Sequence, residues 1–185
     1  MELSVHEAKK QLRKAVSAKL KTLSEEYRTL ASEQLRARVL SPAEYREAQR
    51  IFLYINMPTE PQTGGIIRQA LADGKQVYVP KCISKTDMLA VRIRSTDQLV
   101  PGAYNIPEPV DCSETLEPDA FDLILVPCVS ASADGRRLGH GAGYYDRFLE
   151  GNAERTICLC FAQAMCEDIP VDENDVRMHR VISEA

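Results

Sequence analysis

The sequence predicts an α/β fold: a mostly parallel sheet flanked by helices on both faces, with a helical N-terminal region. Three observations carry this expectation. The first fifty residues hold three helix start signals in a row. Beyond them the texture changes to short apolar runs separated by turn residues, the pattern of strands covered on both faces. One helical segment then lies between two such runs, in the β–α–β order that implies parallel strands joined by a right-handed crossover.

Each element has its own signal. Ser4 and Glu7 have the spacing of a capping box, and Val5, Ala8, Leu12, Val16 and Leu20 continue a helical apolar stripe. Ser24, followed by Glu25 and Glu26, starts a second helix with its acids at the positive end. Ser41-Pro42-Ala43-Glu44 starts a third, with proline at the first helical position. Ile51 to Ile55 reads as a buried strand, broken by Asn56-Met57-Pro58-Thr59-Glu60-Pro61. A helix follows from Thr63 to Ala72 with Ile66, Ile67, Ala70 and Leu71 facing inward, and Asp73-Gly74 turns the chain into a strand over Gln76–Pro80. Leu89 to Arg94 alternates like a strand with one polar face, Leu123–Val126 and Thr156–Ala162 add two more, and Arg180–Ile182 adds a last. Pro101 to Pro118 reads as a long surface connection.

With 185 residues, the chain fits a single domain over 1–185, 1–50 being its helical part and 51–185 its sheet-containing part. Its 44% apolar and 27% charged content suit a soluble globular protein. The net charge of −4 argues against nucleic acid as a partner, and no apolar run approaches the length of a membrane span. No secretory signal is visible at the acidic start, so a cytoplasmic location is expected. The six cysteines form no C-x-x-C pair, which disfavours a structural zinc site and leaves buried, reduced thiols as the expectation.

The most informative stretch follows the run Leu123–Val126. In Gly139-His140-Gly141-Ala142-Gly143-Tyr144-Tyr145-Asp146-Arg147, three glycines alternate just before a helix expected to start near Gly143. Such a loop approaches a ligand without side-chain obstruction, and a helix start offers free N–H groups to phosphate. Asp146 is a carboxylate suited to Mg²⁺, and Arg147 a guanidinium suited to phosphate oxygens. Both this loop and the Met57–Glu60 loop leave the carboxyl ends of strands, so they face one cleft if the sheet is parallel. No G-x-x-x-x-G-K-[ST] motif is present, and the glycine spacing misses the dinucleotide fingerprint G-x-G-x-x-G.

Several segments together resemble the 5-formyltetrahydrofolate cyclo-ligase (methenyltetrahydrofolate synthetase) family. They are Phe121–Pro127, Asp134–Gly139, and Gly141 with Gly143–Arg147. Ala8–Arg13, Met57 with Glu60 and Thr63, Tyr104–Pro109 and Val171–Asp175 extend the likeness in order over most of the chain. The resemblance implies an enzyme that uses ATP and Mg²⁺ to cyclise 5-formyltetrahydrofolate to 5,10-methenyltetrahydrofolate, releasing ADP and phosphate. It implies Lys9, Arg13, Arg137, Gly139, His140, Gly141, Ala142, Gly143, Tyr144 and Tyr145 at the nucleotide. On the folate it implies Ile55, Met57, Glu60, Tyr104 and Tyr144. Tyr145 and Arg147 are the implied catalytic groups, and Asp146 and Asp175 the implied Mg²⁺ ligands.

His140 and Ala142 depart from the pattern, since family members commonly carry arginine at the first position and glycine or lysine at the second. Histidine supplies less fixed positive charge near neutrality than arginine. Two alternatives therefore stay open: a catalytically altered nucleotide-binding relative, and a sugar-phosphate isomerase or transferase on a similar sheet. The partners expected are folate and ATP, with no nucleic acid and no membrane; the oligomeric state is left open, a monomer being favoured.

Overall fold

The computed structural model describes residues 3–185. Helices α1 (Val5–Thr22) and α2 (Glu25–Leu40) and the short α3 (Ala43–Glu47) precede the sheet. The Ser4 hydroxyl accepts from the Glu7 N–H and the Glu7 carboxylate accepts from the Ser4 N–H, so the capping box is complete. Ser24 caps α2 without a reciprocal acid, its hydroxyl accepting from Tyr27 N–H at 3.1 Å. At α3 Pro42 is the cap rather than the first helical residue, and only five residues stay helical.

Strands β1 (Arg50–Leu53) and β2 (Gln76–Cys82) flank α4 (Gly64–Ala72) and pair in parallel. Then come β3 (Met88–Ile93), β4 (Leu99–Pro101), β5 (Pro107–Pro109), β6 (Thr115–Leu116), β7 (Leu123–Val126), β8 (Ser130–Ala131) and β9 (Arg137–Leu138). Helix α5 (Tyr144–Phe148), β10 (Thr156–Leu159) and β11 (Arg180–Ile182) complete the chain. The main sheet runs β11-β10-β7-β1-β2-β3-β6, parallel from β11 through β2 and antiparallel at β3 and β6.

Side-chain alternation along β1 divides the core. Phe52 meets Phe121, Phe148 and Tyr145 with ring centroids 5.7, 5.0 and 6.4 Å away, and Tyr78 joins Phe121 at 5.2 Å. This aromatic cluster seats α5 on one face of the sheet. Ile51 and Leu53 point to the other face; α4 lies against β2 and α2 packs on α4. Ile66, Ile67 and Ala70 are buried as the helical period predicts, and Leu71 is half-buried.

Three further expectations are corrected. The strand expected over Ile51–Ile55 ends at Leu53, because the Tyr54 carbonyl accepts from the Thr63 hydroxyl at 2.7 Å instead of continuing the ladder. Thr156–Ala162 stops as a strand at Leu159, and Ala162–Ala164 winds into a 3-10 turn. Pro101–Pro118 is not bare connection: β4 and β5 form a ribbon, β6 extends the sheet, and Glu108 within the segment is buried. Helix α5 starts at Tyr144 with Gly143 as its N-cap, as expected, but spans only five residues, so its axial dipole adds little to its free N–H groups. Of the six cysteines, Cys128, Cys158 and Cys160 are buried as expected, whereas Cys82, Cys112 and Cys166 are only half-buried.

Candidate active site

The sheet places the site. From β1 the chain builds outward through β2, β3 and β6, then returns to add β7, β10 and β11 on the other side. The order thus switches between β1 and β7, and in open α/β sheets the crevice beyond such strand ends receives ligands. Tyr54, Ile55 and Met57 leave β1 and Pro127 leaves β7, and all four line a cleft of about 910 Å³. Every site residue expected from the sequence lines the same cleft: Lys9, Arg13, Ile55, Met57, Glu60, Tyr104, Arg137, Gly139 to Arg147 and Asp175.

The glycine loop forms one wall. Gly141 and Gly143 take φ of 104° and 70°, values open to glycine at little cost. A Cβ on Gly139 would come within 2.9 Å of the Arg137 guanidinium, so glycine lets the loop lie directly on that arginine. Arg13 reaches from α1 to donate from Nε to the Gly139 carbonyl at 2.8 Å. Arg147 donates from Nη2 to the Ala142 carbonyl at 2.7 Å and from Nε to Thr86 O at 2.9 Å, while the Tyr144 hydroxyl donates to Ser84 O at 2.8 Å. The β2–β3 turn therefore holds α5 and the loop together.

Arg137 lies beneath the loop, 6% exposed. It donates to Pro127 O at 3.0 Å and to Asp146 Oδ1 at 3.1 Å, and its buried Nε has no partner among the described residues. Burial works against its charge, but the neighbouring Asp146 carboxylate outweighs this and holds the guanidinium above its ordinary pKa. The same guanidinium sits 5.7 Å from the Tyr145 ring centroid. Burial, with Glu60 nearby, pushes the Tyr145 phenol far up, so it stays neutral at every working pH. Tyr145 is thus the member of the tyrosine pair that packs on Phe52, whereas Tyr144, pushed up to about 12 by burial and by Tyr104 and Cys82, faces the β2–β3 turn.

At the opposite wall Glu60 is 4% exposed, not a solvated loop acid. Its Oε2 accepts from Met57 N–H at 2.7 Å, and its Oε1 lies 2.8 Å from His140 Nε2 across the cleft. Tyr104, 69% exposed, stands on a tight turn in which it and Asn105 both adopt left-handed backbone, φ 56° and 58°.

Lys9 and Asp175, which the resemblance assigns to nucleotide and metal, bind each other. Lys9 Nζ also meets Asp172 Oδ2 at 2.5 Å, and the Lys9 side chain is only 8% exposed. Burial disfavours the ammonium, yet the two carboxylates overcome this and raise its pKa, while the bond from Lys9 lowers that of Asp172. Asp146 is the carboxylate that fits Mg²⁺. Its Oδ1 is taken by Arg137, no described residue bonds its Oδ2, and Mg²⁺ needs only one or two carboxylates beside phosphate and water. Asp175 fits only if Lys9 is released.

The sequence reading missed Glu108, Asp172, Cys82 and His6, which also line the cleft. His6 had a usable signal, since it sits three and seven residues before Lys9 and Arg13 on one helical face. Glu108 lies inside the resembling segment Tyr104–Pro109, but its contacts come from elsewhere: a Lys81 ammonium at 3.2 Å and the Cys82 N–H at 3.3 Å hold it, both brought by β2.

Comparison with known proteins agrees with this architecture. A sequence model described as the 5-formyltetrahydrofolate cyclo-ligase family matches residues 5–184. The chain is 32% identical to the mouse 5-formyltetrahydrofolate cyclo-ligase over 195 aligned positions, covering 98% of this chain and 96% of that protein. A solved structure of the Aquifex aeolicus 5,10-methenyltetrahydrofolate synthetase superposes with a TM-score of 0.85 at 31% identity, covering 95% of this chain and 89% of the other. The Mycoplasma pneumoniae enzyme of the same name, at 23% identity and a TM-score of 0.76, shares the fold. With nearly its whole length matched by the family and by relatives above 30% identity, the chain belongs to the 5-formyltetrahydrofolate cyclo-ligase family.

Proposed function

We propose that the protein cyclises 5-formyltetrahydrofolate to 5,10-methenyltetrahydrofolate at the expense of ATP. The observation that carries this reading is the joining in one cleft of a glycine loop backed by Arg13 and Arg137 with a buried acid, Glu60, on the facing wall. Anionic phosphates suit the first half, and a ring rich in N–H donors suits the second.

The chemistry asks for little beyond positioning. A formamide oxygen is a poor leaving group; once it carries a phosphoryl group, N10 attacks the formyl carbon, phosphate departs and the N10 proton is lost. Holding N5-formyl, N10 and the terminal phosphate in register is worth many orders of magnitude in effective concentration. Arg137, fixed by Asp146 and Pro127, offers a preorganised charge with a free Nε–H, and Arg13 steadies the loop from α1. Glu60 accepts from the pterin, Ile55 and Met57 give the apolar wall, and Tyr104 covers the ring. Asp146 would hold a Mg²⁺ ion arriving with ATP, whose charge would offset that of the phosphates. Tyr144 and Arg147 shape the loop.

The test is formation of methenyltetrahydrofolate, followed by its absorbance, from 5-formyltetrahydrofolate and MgATP, with an ATP-free control. ATP-dependent product is the expected result. Nucleotide binding without product would instead identify the altered relative that His140 and Ala142 leave open.

A further inference from the structure

We infer that His140 is a positioning residue whose bond to Glu60 makes the binding of the two substrates interdependent; the inference rests on the proposed cyclo-ligase reading. The pair spans the cleft, joining the loop proposed for phosphate to the acid proposed for folate, with Nε2 and Oε1 2.8 Å apart. Each partner is otherwise suited to one substrate. Glu60 is 4% exposed and its other oxygen is already taken by Met57 N–H, so Oε1 is the oxygen left for a pterin donor. His140 stands between Gly139 and Gly141, and its side chain is 42% exposed, so the ring can leave Glu60 without disturbing the core. Through Nε2 it is the one side-chain donor between Gly139 and Gly143.

Pterin N–H groups compete with His140 for Oε1, and phosphate oxygens compete with Glu60 for the imidazole donor. Either substrate arriving first must break the same bond. The second then finds its partner already free, and thermodynamic reciprocity makes the gain equal for both. Arg13 on the Gly139 carbonyl keeps the loop in place while the ring swings.

The experiment is calorimetric titration of the full chain with 5-formyltetrahydrofolate and with a non-hydrolysable ATP analogue plus Mg²⁺, each alone and in the presence of the other. In the wild type each ligand is expected to tighten the other on the order of 10-fold. His140→Ala should reduce this coupling below about twofold and bind 5-formyltetrahydrofolate alone more tightly than the wild type does. His140→Gln, whose amide nitrogen reaches the same carboxylate oxygen, should restore the coupling, which a merely structural role would not predict. Wild-type protein that binds both ligands independently, or a His140→Ala protein that keeps the full coupling, overturns the inference. Should alanine unfold the loop, the glutamine variant decides, and coupling lost in a folded His140→Gln protein also overturns it. Wild-type protein that binds neither ligand overturns the cyclo-ligase reading itself, a different and recognisable failure.

Discussion

Arg137 lies beneath the glycine loop and donates to Asp146 Oδ1 at 3.1 Å, its own side chain 3% exposed and that of the aspartate 23%. A strand residue thereby fixes the first turn of α5 from below, and one buried positive charge serves the loop and the acid together. Replacing Arg137 by methionine should cost about 3 kcal/mol, the lower end for a broken buried pair because Asp146 keeps some solvent. Urea unfolding measures this, and a change under 1 kcal/mol would mean that the pair does not hold the site together.

Asp146→Asn keeps an oxygen for Arg137 and removes the charge proposed for Mg²⁺. Turnover should fall roughly 100-fold, with the circular dichroism spectrum unchanged. Titrating Mg²⁺ at fixed ATP distinguishes the roles: full activity of the variant at limiting Mg²⁺ would show that Asp146 does not carry the metal.

The Lys9 clamp has a pH signature. The raised pKa of Lys9 means that its contribution is complete below its unfolded value and is lost as pH rises through the folded one. The lowered pKa of Asp172 means the reverse, a contribution present above its unfolded value and lost as pH falls through the folded one. The stability difference between wild type and Lys9→Met should therefore be widest between about pH 4 and pH 10, and shrink beyond either limit. Denaturant midpoints across pH check this; a flat difference would refute the clamp.

Two glycines allow an internally controlled comparison. Gly74 and Gly143 share nearly the same φ, 74° and 70°, but a Cβ meets nothing within 4 Å at Gly74 and meets Arg147 Nη1 at 2.7 Å at Gly143. Gly74→Ala should cost about 1–2 kcal/mol for left-handed backbone alone. Gly143→Ala should cost more and also raise KM for ATP, since Arg147 must release the Ala142 carbonyl. Equal costs and an unchanged KM would show that the Arg147 contact is idle.

Much of this was legible in the residues. The capping box at Ser4, the inward stripe of α4, the β1–α4–β2 unit and the alternating glycines are local patterns, and short-range periodicity and backbone freedom suffice to specify them. The resemblance then pointed to the residues that line the cleft, because they cluster in a few contiguous segments.

What sequence alone could not give are relationships between distant segments. Lys9 finds Asp172 and Asp175 at separations of 163 and 166 residues, turning an expected phosphate ligand into half of an ion-pair clamp. The antiparallel turn of β3 follows from the tight Ser84–Asp87 loop and its pairing with β2, where alternation fixed only which residues face inward. Glu60, in the loop between Pro58 and Pro61, is buried because Thr63 and the Tyr54 carbonyl fold the loop inward, and His140 reaches it from 80 residues away. Local periodicity and residue chemistry thus set most of the elements and the groups available to the site. Which charges meet was settled by folding, because the strength of an ionic contact depends on burial and distance, and neither is encoded in neighbouring residues.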